Sequence, residues 1–450
     1  MIGSNMKRVI ALVAASAAAV SLAACGSNSS QDSKTIEFWD PYPQKNDSST
    51  WAKYVTNCAP EGYNVKRIGY AQSDLLNNLT TAVKAGNAPQ IALIDNPKMP
   101  TAVDAGLVTD IEAAGVDVSG FDKNIEGPGI IDGVQYGVSY GTNALGLYYN
   151  PDVLNKAGVD PESITDWDSL NSAIEKVVNA GYKGITFSGI SGEEGTFQFL
   201  PWFWGAGGQL KDASGSSAEQ DALDLVSGWV QKGWAPKSVA TDNQSAAWDL
   251  FLGGDYGFSE NGSWQMESAV EKGYKMISIP AKDGGVAPVP SGGEFITIPA
   301  QKTKDSDKMK ATAEVIQCLI DGDNLKKTND EMVYLAAKSD VRKQQVEENS
   351  AWAPWVDAVE NAEGRTTDVG LEYEDISAQL SEDLQAALIR ADSRSHSFSG
   401  ASARHSLRYS DAPFHLFHQQ AGELCLKQSP QINQGESSQP HWPPLVSRPR

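Results

Sequence analysis

Short apolar runs alternate with amphipathic segments along much of this chain, and this alternation restricts its fold more than any other feature. Runs typical of strands, each bounded by turn-forming residues, cover 35–39, 64–70 and 90–95. Residues 74–86 carry apolar side chains at helical spacing and end at Gly86, a typical helix C-cap. Strands that alternate with helices predict an α/β layer architecture.

Length and composition exclude several classes of protein. A chain of 450 residues is too long for one small core and predicts two lobes. The formal net charge of −21 argues against nucleic-acid binding, which needs clustered lysine and arginine. All five histidines lie between His396 and His441, so the residues before Arg390 offer no Ser-His-Asp arrangement and no histidine metal site. We predict neither a metal nor a cofactor. Paired carboxylates for glycoside hydrolysis stay an open alternative.

The N-terminal segment changes from apolar to polar at one cysteine. Lys7 and Arg8 precede an apolar run, 9–24, that is shorter than the roughly 20 residues of a membrane-spanning helix. These features predict a signal peptide over residues 1–24. The sequence Leu-Ala-Ala-Cys ending at Cys25 resembles the bacterial lipobox, whose cysteine is acylated and becomes the mature N-terminus. Residues 25–34 would then form a flexible tether. An ordinary signal peptide with a chance cysteine is the alternative.

Several motifs together resemble one family. The segment "LGLYYNPDVLNKAGVDPESITDWDSLNSAIEKV" joins an aromatic strand, a helix, "AG" and a second helix start, where Thr165 and Asp168 have the spacing of a capping box. Further matches occur in order: "IEFWD", "AGNAPQIALID", "AGLVTDI", "FLGGDYGFSENGSW" and "GGEFITIPAQKTKDSDKMKATAEVIQCLID". Over residues 35–388 the chain resembles the extracellular solute-binding proteins of ABC importers, in the sugar-binding family that includes maltose-binding protein.

The resemblance implies a periplasmic-binding-protein-like fold with two α/β lobes, a hinge and an interlobe cleft. Lobe 1 would comprise 35–139 and 294–345, and lobe 2 would comprise 140–293 and 346–390. The chain would cross between them at 139–143, at 291–294 and at a third point after Ala336. Hinge closure would then present a bound ligand to the permease.

The implied function is that of a monomeric lipoprotein, not an enzyme, that captures a carbohydrate, expected to be an oligosaccharide, for an ABC permease. Its acyl chains, palmitate among them, would hold it at the extracellular face of a bacterial cell membrane, because one chain alone binds only marginally. A binding protein with no outer compartment to confine it needs such an anchor, which indicates a Gram-positive cell. A surface glycoside hydrolase and a polyamine- or peptide-binding protein of the same fold are the alternatives.

Sugars present apolar C–H faces and hydroxyls, so aromatic rings, carboxylates and amides are the expected ligand contacts. Trp264 matches the family's G-x-W pattern, and other candidates follow predicted strands or lie on the crossings. The full set of expected ligand contacts is Asp40, Tyr42, Asp95, Asn96, Tyr140, Asn143, Trp202, Trp204, Trp264 and Glu294. Turn capping is the alternative role for the residues after the strands. Core packing alone would explain Phe197, which precedes Trp202 in the same aromatic segment.

Two further expectations concern cysteine pairing and the C-terminal end. Cys58 and Cys318 are candidates for a disulfide in an exported protein, with two buried free thiols as the alternative. Residues 391–450 hold every histidine and are rich in serine, proline and arginine. This abrupt change predicts a disordered tail produced by a shifted reading frame, and a natural disordered extension is the alternative.

Overall fold

Strands and helices alternate along residues 34–395, which are the residues that this computed structural model describes. The strands are β1 (Thr35–Asp40), β2 (Asn64–Gly69), β3 (Ile91–Asp95), β4 (Val108–Thr109), β5 (Ile130–Ile131), β6 (Val134–Gln135), β7 (Gly137–Ser139), β8 (Leu145–Tyr149), β9 (Lys183–Thr186), β10 (Tyr256–Gly262), β11 (Lys275–Ile277), β12 (Val289–Pro290), β13 (Glu294–Pro299) and β14 (Ala362–Glu363). The α-helices are α1 (Thr50–Asn57), α2 (Gln72–Ala85), α3 (Met99–Asp104), α4 (Lys123–Glu126), α5 (Pro151–Ala157), α6 (Trp167–Asn179), α7 (Glu193–Gly205), α8 (Ser217–Gln231), α9 (Gln244–Leu252), α10 (Met266–Lys272), α11 (Ser306–Leu319), α12 (Gly322–Met332), α13 (Ser339–Glu348), α14 (Ala353–Glu360) and α15 (Tyr373–Ser395). The predicted α/β class is confirmed.

The sheet of lobe 1 has the strand order β2-β1-β3-β13-β4, and β7 also pairs with β13. Strands β1, β2 and β3 run parallel, whereas β13 returns antiparallel to β3. Alternate residues of β3 enter two different cores, Ile91 and Leu93 on one face of the sheet and Ala92 and Ile94 on the other. Burial on both faces explains the continuous apolar run of this strand.

Lobe 2 is built on a second sheet with the order β11-β8-β10-β9. Strand β8 is antiparallel to β10, and every residue of both strands is buried. The core around this sheet contains Trp202, Trp229 and Phe258, each of them at most 1% exposed. Large aromatic side chains therefore supply much of the apolar surface that stabilises lobe 2.

Two helix ends show how local sequence sets element boundaries. Helix α2 ends as predicted, with Gly86 in the left-handed conformation at φ 80°. The capping box of α6 lies one residue later than predicted: Asp166 accepts from the backbone N–H of Ser169, and the Ser169 hydroxyl accepts from that of Asp166. Thr165 and Asp168 do not form the pair, because the helix begins at Trp167 and Asp166 is its N-cap.

The three segments that join the lobes lie side by side. On the first, Thr142 exchanges both backbone hydrogen bonds with Leu335, at 2.8 and 2.9 Å. Its neighbour Asn143 accepts from the backbone N–H of Gly292 on the second segment, at 2.9 Å. Leu335 therefore lies beside the first segment, and the third crossing after Ala336 stays a prediction. Ala336 packs in the core of lobe 1, whereas Leu335 packs in that of lobe 2.

One part of the predicted lobe 1 reaches across to lobe 2. Ile125 on α4 is 1% exposed and packs within the core of lobe 2. The Asn124 amide donates to the backbone carbonyls of Val359 and Ala362, at 3.0 and 3.2 Å. Asn124 and Ile125 therefore contact lobe 2, although both precede the predicted boundary at residue 139.

A disulfide joins Cys58 to Cys318, with their Cα atoms 5.6 Å apart. Cys58 is the C-cap of α1, and Cys318 lies in the last turn of α11. The bond links the N-terminal part of lobe 1 to the part that follows the second crossing, and lobe 2 lies between them in sequence.

The C-terminal helix continues beyond the predicted start of the tail at residue 391. Helix α15 extends to Ser395, and Ala391 is fully buried one helical turn after Leu388. The predicted signal peptide, Cys25, the predicted tether up to residue 33 and the rest of the predicted tail lie outside the described residues. Within residues 34–395, no helix is long and apolar enough to cross a membrane.

Candidate ligand-binding site

Three tyrosine hydroxyls surround one carboxylate where the sheet of lobe 1 meets the second crossing. Oε2 of Glu294 lies 2.6 Å from the Tyr42 hydroxyl, 3.3 Å from that of Tyr334 and 3.5 Å from that of Tyr140. The hydroxyls of Tyr42 and Tyr140 also contact each other. This tyrosine–carboxylate cluster unites Tyr42, Tyr140 and Glu294, three predicted site residues. Tyr334 was missed, because it lies far along the chain in a segment without a motif.

Glu294 shares its environment with a second acid. It is the first residue of β13 and lies directly opposite Asp95, the last residue of β3. Burial raises the pKa of Glu294 from 4.5 to about 7, and the charge of Asp95 adds to this shift. Burial also raises the pKa of Asp95, although Arg365 opposes the change. Both carboxyl groups are therefore harder to ionise than they would be in water.

Asp40 has a structural role in lobe 1, in agreement with the turn-capping alternative. Its fully buried carboxylate accepts from the Tyr42 backbone N–H at 3.0 Å, from Trp51 Nε1 at 2.9 Å and from two nitrogens of Arg67. Arg67 also donates to the backbone carbonyls of Tyr42 and Lys45. Asp40 and Arg67 thus hold the loop that places the Tyr42 hydroxyl against Glu294.

Asn96 and Asn143, two other predicted contacts, lie beside the second crossing. Asn96 is 1% exposed, and its Nδ2 donates to Ser291 Oγ at 3.3 Å. Its Oδ1 has no hydrogen-bond partner among residues 34–395. Asn143 packs its amide against Gly292, where an added Cβ would come within 1.9 Å of Oδ1. Both asparagines are therefore at the junction of the lobes.

A buried arginine on lobe 2 forms the part of the site that sequence reasoning missed. Glu193, the first residue of α7, accepts from Arg365, from the Tyr373 hydroxyl at 2.8 Å and from Ser377. Arg365 also donates to the Ser291 carbonyl, at 3.4 Å. Arg365 and Glu193 are 172 positions apart in sequence. No local pattern could therefore have revealed the pair.

The aromatic part of lobe 2 adjoins this arginine. The Arg365 guanidinium lies 4.9 Å from the centroid of the Phe197 ring. That ring lies 6.4 Å from the ring of Trp264, which is only partly buried. The structure thus places Trp264 beside Phe197, whose ring in turn contacts Arg365. Phe197 itself is 7% exposed and packs in the core of lobe 2, as the sequence suggested.

Trp202 and Trp204, which were expected in the cleft, lie in the core of lobe 2. Trp202 is 1% exposed, its Nε1 donates to Glu260 Oε2 at 2.8 Å, and its ring packs on Trp229. Trp204 is 7% exposed within the same core. Helix α7 is buried on most of its circumference, so Phe197 and Trp202, which are five positions apart on it, contact different neighbours. Both tryptophans thus pack in the lobe 2 core, and their contact with a ligand stays a prediction.

The lobes also touch at the edge of the cleft. Glu374, at the start of α15, accepts from Lys98 at 2.9 Å and from the Thr101 hydroxyl at 2.8 Å. Lys98 directly precedes α3 of lobe 1, and Thr101 lies in the first turn of that helix. Among residues 34–395 there is no group of three or more histidine, cysteine or acidic side chains placed to hold a metal ion. The site therefore offers carboxylates, hydroxyls, amides, one guanidinium and aromatic rings.

Comparison with known proteins identifies similar chains. A family model of bacterial extracellular solute-binding proteins matches residues 56–354. A Brucella abortus protein named as a binding protein is 24% identical over 228 residues, 48% of this chain and 53% of that protein. The chain thus matches about half the length of the first curated relatives. The maltodextrin-binding protein of Bacillus subtilis is 24% identical over 322 residues, 67% of this chain and 74% of its own.

Solved structures share the fold. The cyclic alpha-maltosyl-1,6-maltose binding protein from Arthrobacter globiformis superposes with a TM-score of 0.63 and 21% identity. The superposition covers 81% of this chain and 98% of that one. At this identity the likeness establishes the two-lobed architecture, and the ligand has to be argued from the residues of the site.

Proposed function

The chain belongs to the family of bacterial extracellular solute-binding proteins, and we propose that it captures a carbohydrate, an oligosaccharide in particular, between its lobes and delivers it to an ABC permease. The observation that carries this proposal is the pairing of two kinds of surface across the crossings. Lobe 1 contributes the tyrosine–carboxylate cluster, and lobe 2 contributes Trp264 and Phe197 beside Arg365. Groups that bind hydroxyls, together with aromatic rings, suit a sugar.

Each part of the site matches one property of a sugar ring. Aromatic faces can stack on apolar C–H groups, while Glu294 and Asp95 can accept hydrogen bonds from hydroxyls. The hydroxyls of Tyr42 and Tyr334 can both donate and accept. The similarity to a maltodextrin-binding protein supports the same ligand class.

The crossings have the compactness expected of a hinge that guides closure. Gly293 has φ 101°, and a Cβ there would come within 2.6 Å of the Gly141 carbonyl oxygen. A Cβ at Gly141 would come within 1.9 Å of Asn329 Oδ1. Glycines thus allow the joining segments to lie against each other and against α12. Rotation about these short segments would enclose a ligand and present the closed form to the permease.

Membrane attachment is the finer part of the proposal. Acylation of Cys25 would hold the mature protein at the extracellular face of a Gram-positive cell membrane, with residues 25–34 as its tether. Support comes from the lipobox-like sequence and from the family of extracellular proteins to which the chain belongs. We propose that the protein acts as a monomer beside its permease.

Calorimetric titration against a panel of mono- and oligosaccharides, with malto-oligosaccharides included, tests the proposed function. Saturable binding to one series, with the sugar recovered unchanged, is the expected result. Release of shorter products would instead indicate the glycoside hydrolase, and binding confined to polyamines or peptides would indicate those ligand classes. Trp264→Ala should weaken the sugar interaction, and Trp229→Ala provides the matched core control.

A further inference from the structure

Arg365 is a buried arginine of lobe 2 that joins two distant parts of the chain. It is 3% exposed and lies in the loop after β14. One of its nitrogens donates to Glu193 at the start of α7, and another donates to the Ser291 carbonyl on the second crossing, at 3.4 Å. A buried ion pair is often no more stabilising than apolar side chains of the same volume. Stability alone therefore does not explain why an arginine occupies this position.

The guanidinium of Arg365 is held in one place by partners that are themselves fixed. Its carboxylate partner Glu193 also accepts from the Tyr373 hydroxyl at 2.8 Å and from Ser377. Both of these donors lie on α15 and are at most 5% exposed. A guanidinium is planar and rigid, so hydrogen bonds to two of its nitrogens leave it little freedom to turn. Any side chain that packs on the guanidinium therefore meets a fixed surface.

An aromatic ring packs on this surface and passes the contact on to Trp264. The Cζ atom of Arg365 lies over the Phe197 ring, 4.9 Å from its centroid, which is within the range of a cation–π contact. The Phe197 and Trp264 rings have their centroids 6.4 Å apart, at an angle of 38°. Phe197 is 7% exposed, whereas Trp264 is only partly buried. The three side chains thus form a row that leads from a buried ion pair to a ring that solvent reaches.

We propose that Arg365 is a positioning residue for carbohydrate binding: it fixes the Phe197 ring, and that ring sets the orientation in which Trp264 meets a sugar. Arg365 itself does not touch the ligand. The inference rests on the proposed function, in which Trp264 stacks on an apolar sugar face. Stacking depends on many weak contacts at close range, so a tilted indole loses part of them. A ring that is already oriented also loses less conformational freedom when the ligand binds.

The first measurement follows the indole of Trp264 without any ligand. Fluorine NMR of protein labelled with fluorotryptophan gives a resonance for each tryptophan, and Trp264→Phe identifies the one that belongs to Trp264. Arg365→Lys keeps a positive charge beside Glu193 but removes the planar group, so it should shift or broaden this resonance. Phe197→Leu should do the same. Phe199→Leu changes another buried phenylalanine of α7 and, as the matched control, should leave the resonance in place.

The second measurement tests whether the effect reaches ligand binding. Calorimetric titrations use the sugar of the mono- and oligosaccharide panel that the wild type binds most tightly, beginning with maltotriose. Arg365→Lys and Phe197→Leu should each weaken binding by about threefold or more. In a Trp264→Ala background, each should weaken binding by less than about twofold further, because no indole is left to position. Equal losses with and without Trp264 would overturn the inference, because Arg365 would then act by another route.

The fluorine result decides the inference independently of affinity. A Trp264 resonance that stays in place in either Arg365→Lys or Phe197→Leu overturns it, and Arg365 is then only the counter-charge of Glu193. If Arg365→Lys does not fold, Glu193→Gln tests the same step, because an amide keeps the shape of the acceptor but holds the guanidinium less strongly. Glu193→Gln should also shift the Trp264 resonance, and an unshifted resonance would overturn the inference.

Failure of the inference and failure of the proposed function give different results. If sugars bind but Arg365→Lys changes neither the Trp264 resonance nor the affinity, carbohydrate capture stands and the positioning role does not. If no sugar in the panel binds, carbohydrate capture is overturned. The ligand-free NMR spectra then still show whether Arg365 orients Trp264.

Discussion

Gly262 lies directly beneath the indole ring of Trp264. A Cβ added at position 262 would come within 2.0 Å of Cζ3 of that ring. The backbone of Gly262 is extended, with φ −97° and ψ 173°, so an alanine could adopt it without strain. Glycine is therefore required at position 262 because a side chain there would clash with the Trp264 ring, and not because the backbone adopts an unusual conformation.

Gly262→Ala should consequently displace the Trp264 ring and weaken ligand binding by about tenfold or more. In a Trp264→Ala background the same substitution should have little further effect, because the clash is gone. Calorimetric affinities of the single and double variants measure this coupling. Gly228→Ala is the control: it lies in α8 with open space around the added Cβ, and should stabilise the fold by about 0.5–1 kcal/mol. Additive losses from the two cleft substitutions would contradict the packing argument.

Trp264→Ala should weaken carbohydrate binding at least tenfold, since stacking on a ring face contributes roughly 0.5–1.5 kcal/mol beyond the area that it buries. Its ring is only partly buried, so the melting temperature of the ligand-free protein should change little. Trp229 is 1% exposed, and Trp229→Ala should show the opposite pattern, with about 3–5 kcal/mol of stability lost. Lost stability with unchanged affinity in Trp264→Ala would assign Trp264 to the core.

The sequence predicted the elements that depend on local patterns. The apolar run of β3 and the C-cap at Gly86 each follow from a few neighbouring residues, and the structure confirms both. The α6 cap was misplaced by one residue because both Thr165 and Asp166 are good N-caps, so the residue type alone does not distinguish them.

The site was predictable only in part, for the same reason. Asp95 was predicted because ligands of α/β folds collect at strand ends, and Glu294 because it lies on the second crossing that the resemblance implies. Arg365 and Glu193 meet across 172 positions, and Tyr334 reaches Glu294 from a segment without any motif. Helical spacing could not tell that Trp202 faces the core while Phe197 contacts Trp264. These placements depend on how the lobes pack, which no short pattern encodes.

Glu260 should make the stability of the protein fall as the pH rises. It is fully buried on β10, and burial raises its pKa from 4.5 to about 8. At a pH between these two pKa values, the folded state binds more protons than the unfolded state. The contribution of Glu260 to the free energy of unfolding is therefore complete below about pH 4.5 and is lost as the pH rises through about 8. Glu260→Gln should reduce this slope by up to about 1.4 kcal/mol per pH unit.

Thermal unfolding of the wild type and Glu260→Gln from about pH 5 to about pH 8 measures the effect. A residual slope is expected, because burial also raises the pKa of Glu126 to about 8 and that of Glu294 to about 7. Glu61→Gln, on an exposed turn, should keep the wild-type slope. Equal slopes for Glu260→Gln and the wild type would mean that Glu260 is ionised in the folded protein.

Cys25→Ala should release the protein from the membrane fraction into the medium, because no thiol would remain to be acylated. Immunoblots of fractionated cells and mass spectrometry of the mature N-terminus measure the outcome. The double variant Cys58→Ser/Cys318→Ser, which alters thiols without touching the lipobox, should stay with the membrane. Equal membrane association of Cys25→Ala and the wild type would show that the anchor lies elsewhere.

The disulfide between Cys58 and Cys318 should raise the free energy of unfolding substantially, because the loop that it closes is long. Cys58 and Cys318 are separated by 260 residues, and the loop that they close includes the whole β8–β11 sheet of lobe 2. Restricting a loop of this length lowers the entropy of the unfolded chain and stabilises the fold by about 5 kcal/mol in the chain-entropy model. Cys58→Ser/Cys318→Ser should therefore melt well below the wild type and become insensitive to reductant. Its ligand affinity at low temperature should match that of the wild type, because neither cysteine contacts the cleft residues. A melting temperature unchanged by both the double variant and reduction would show that the bond contributes no net stability.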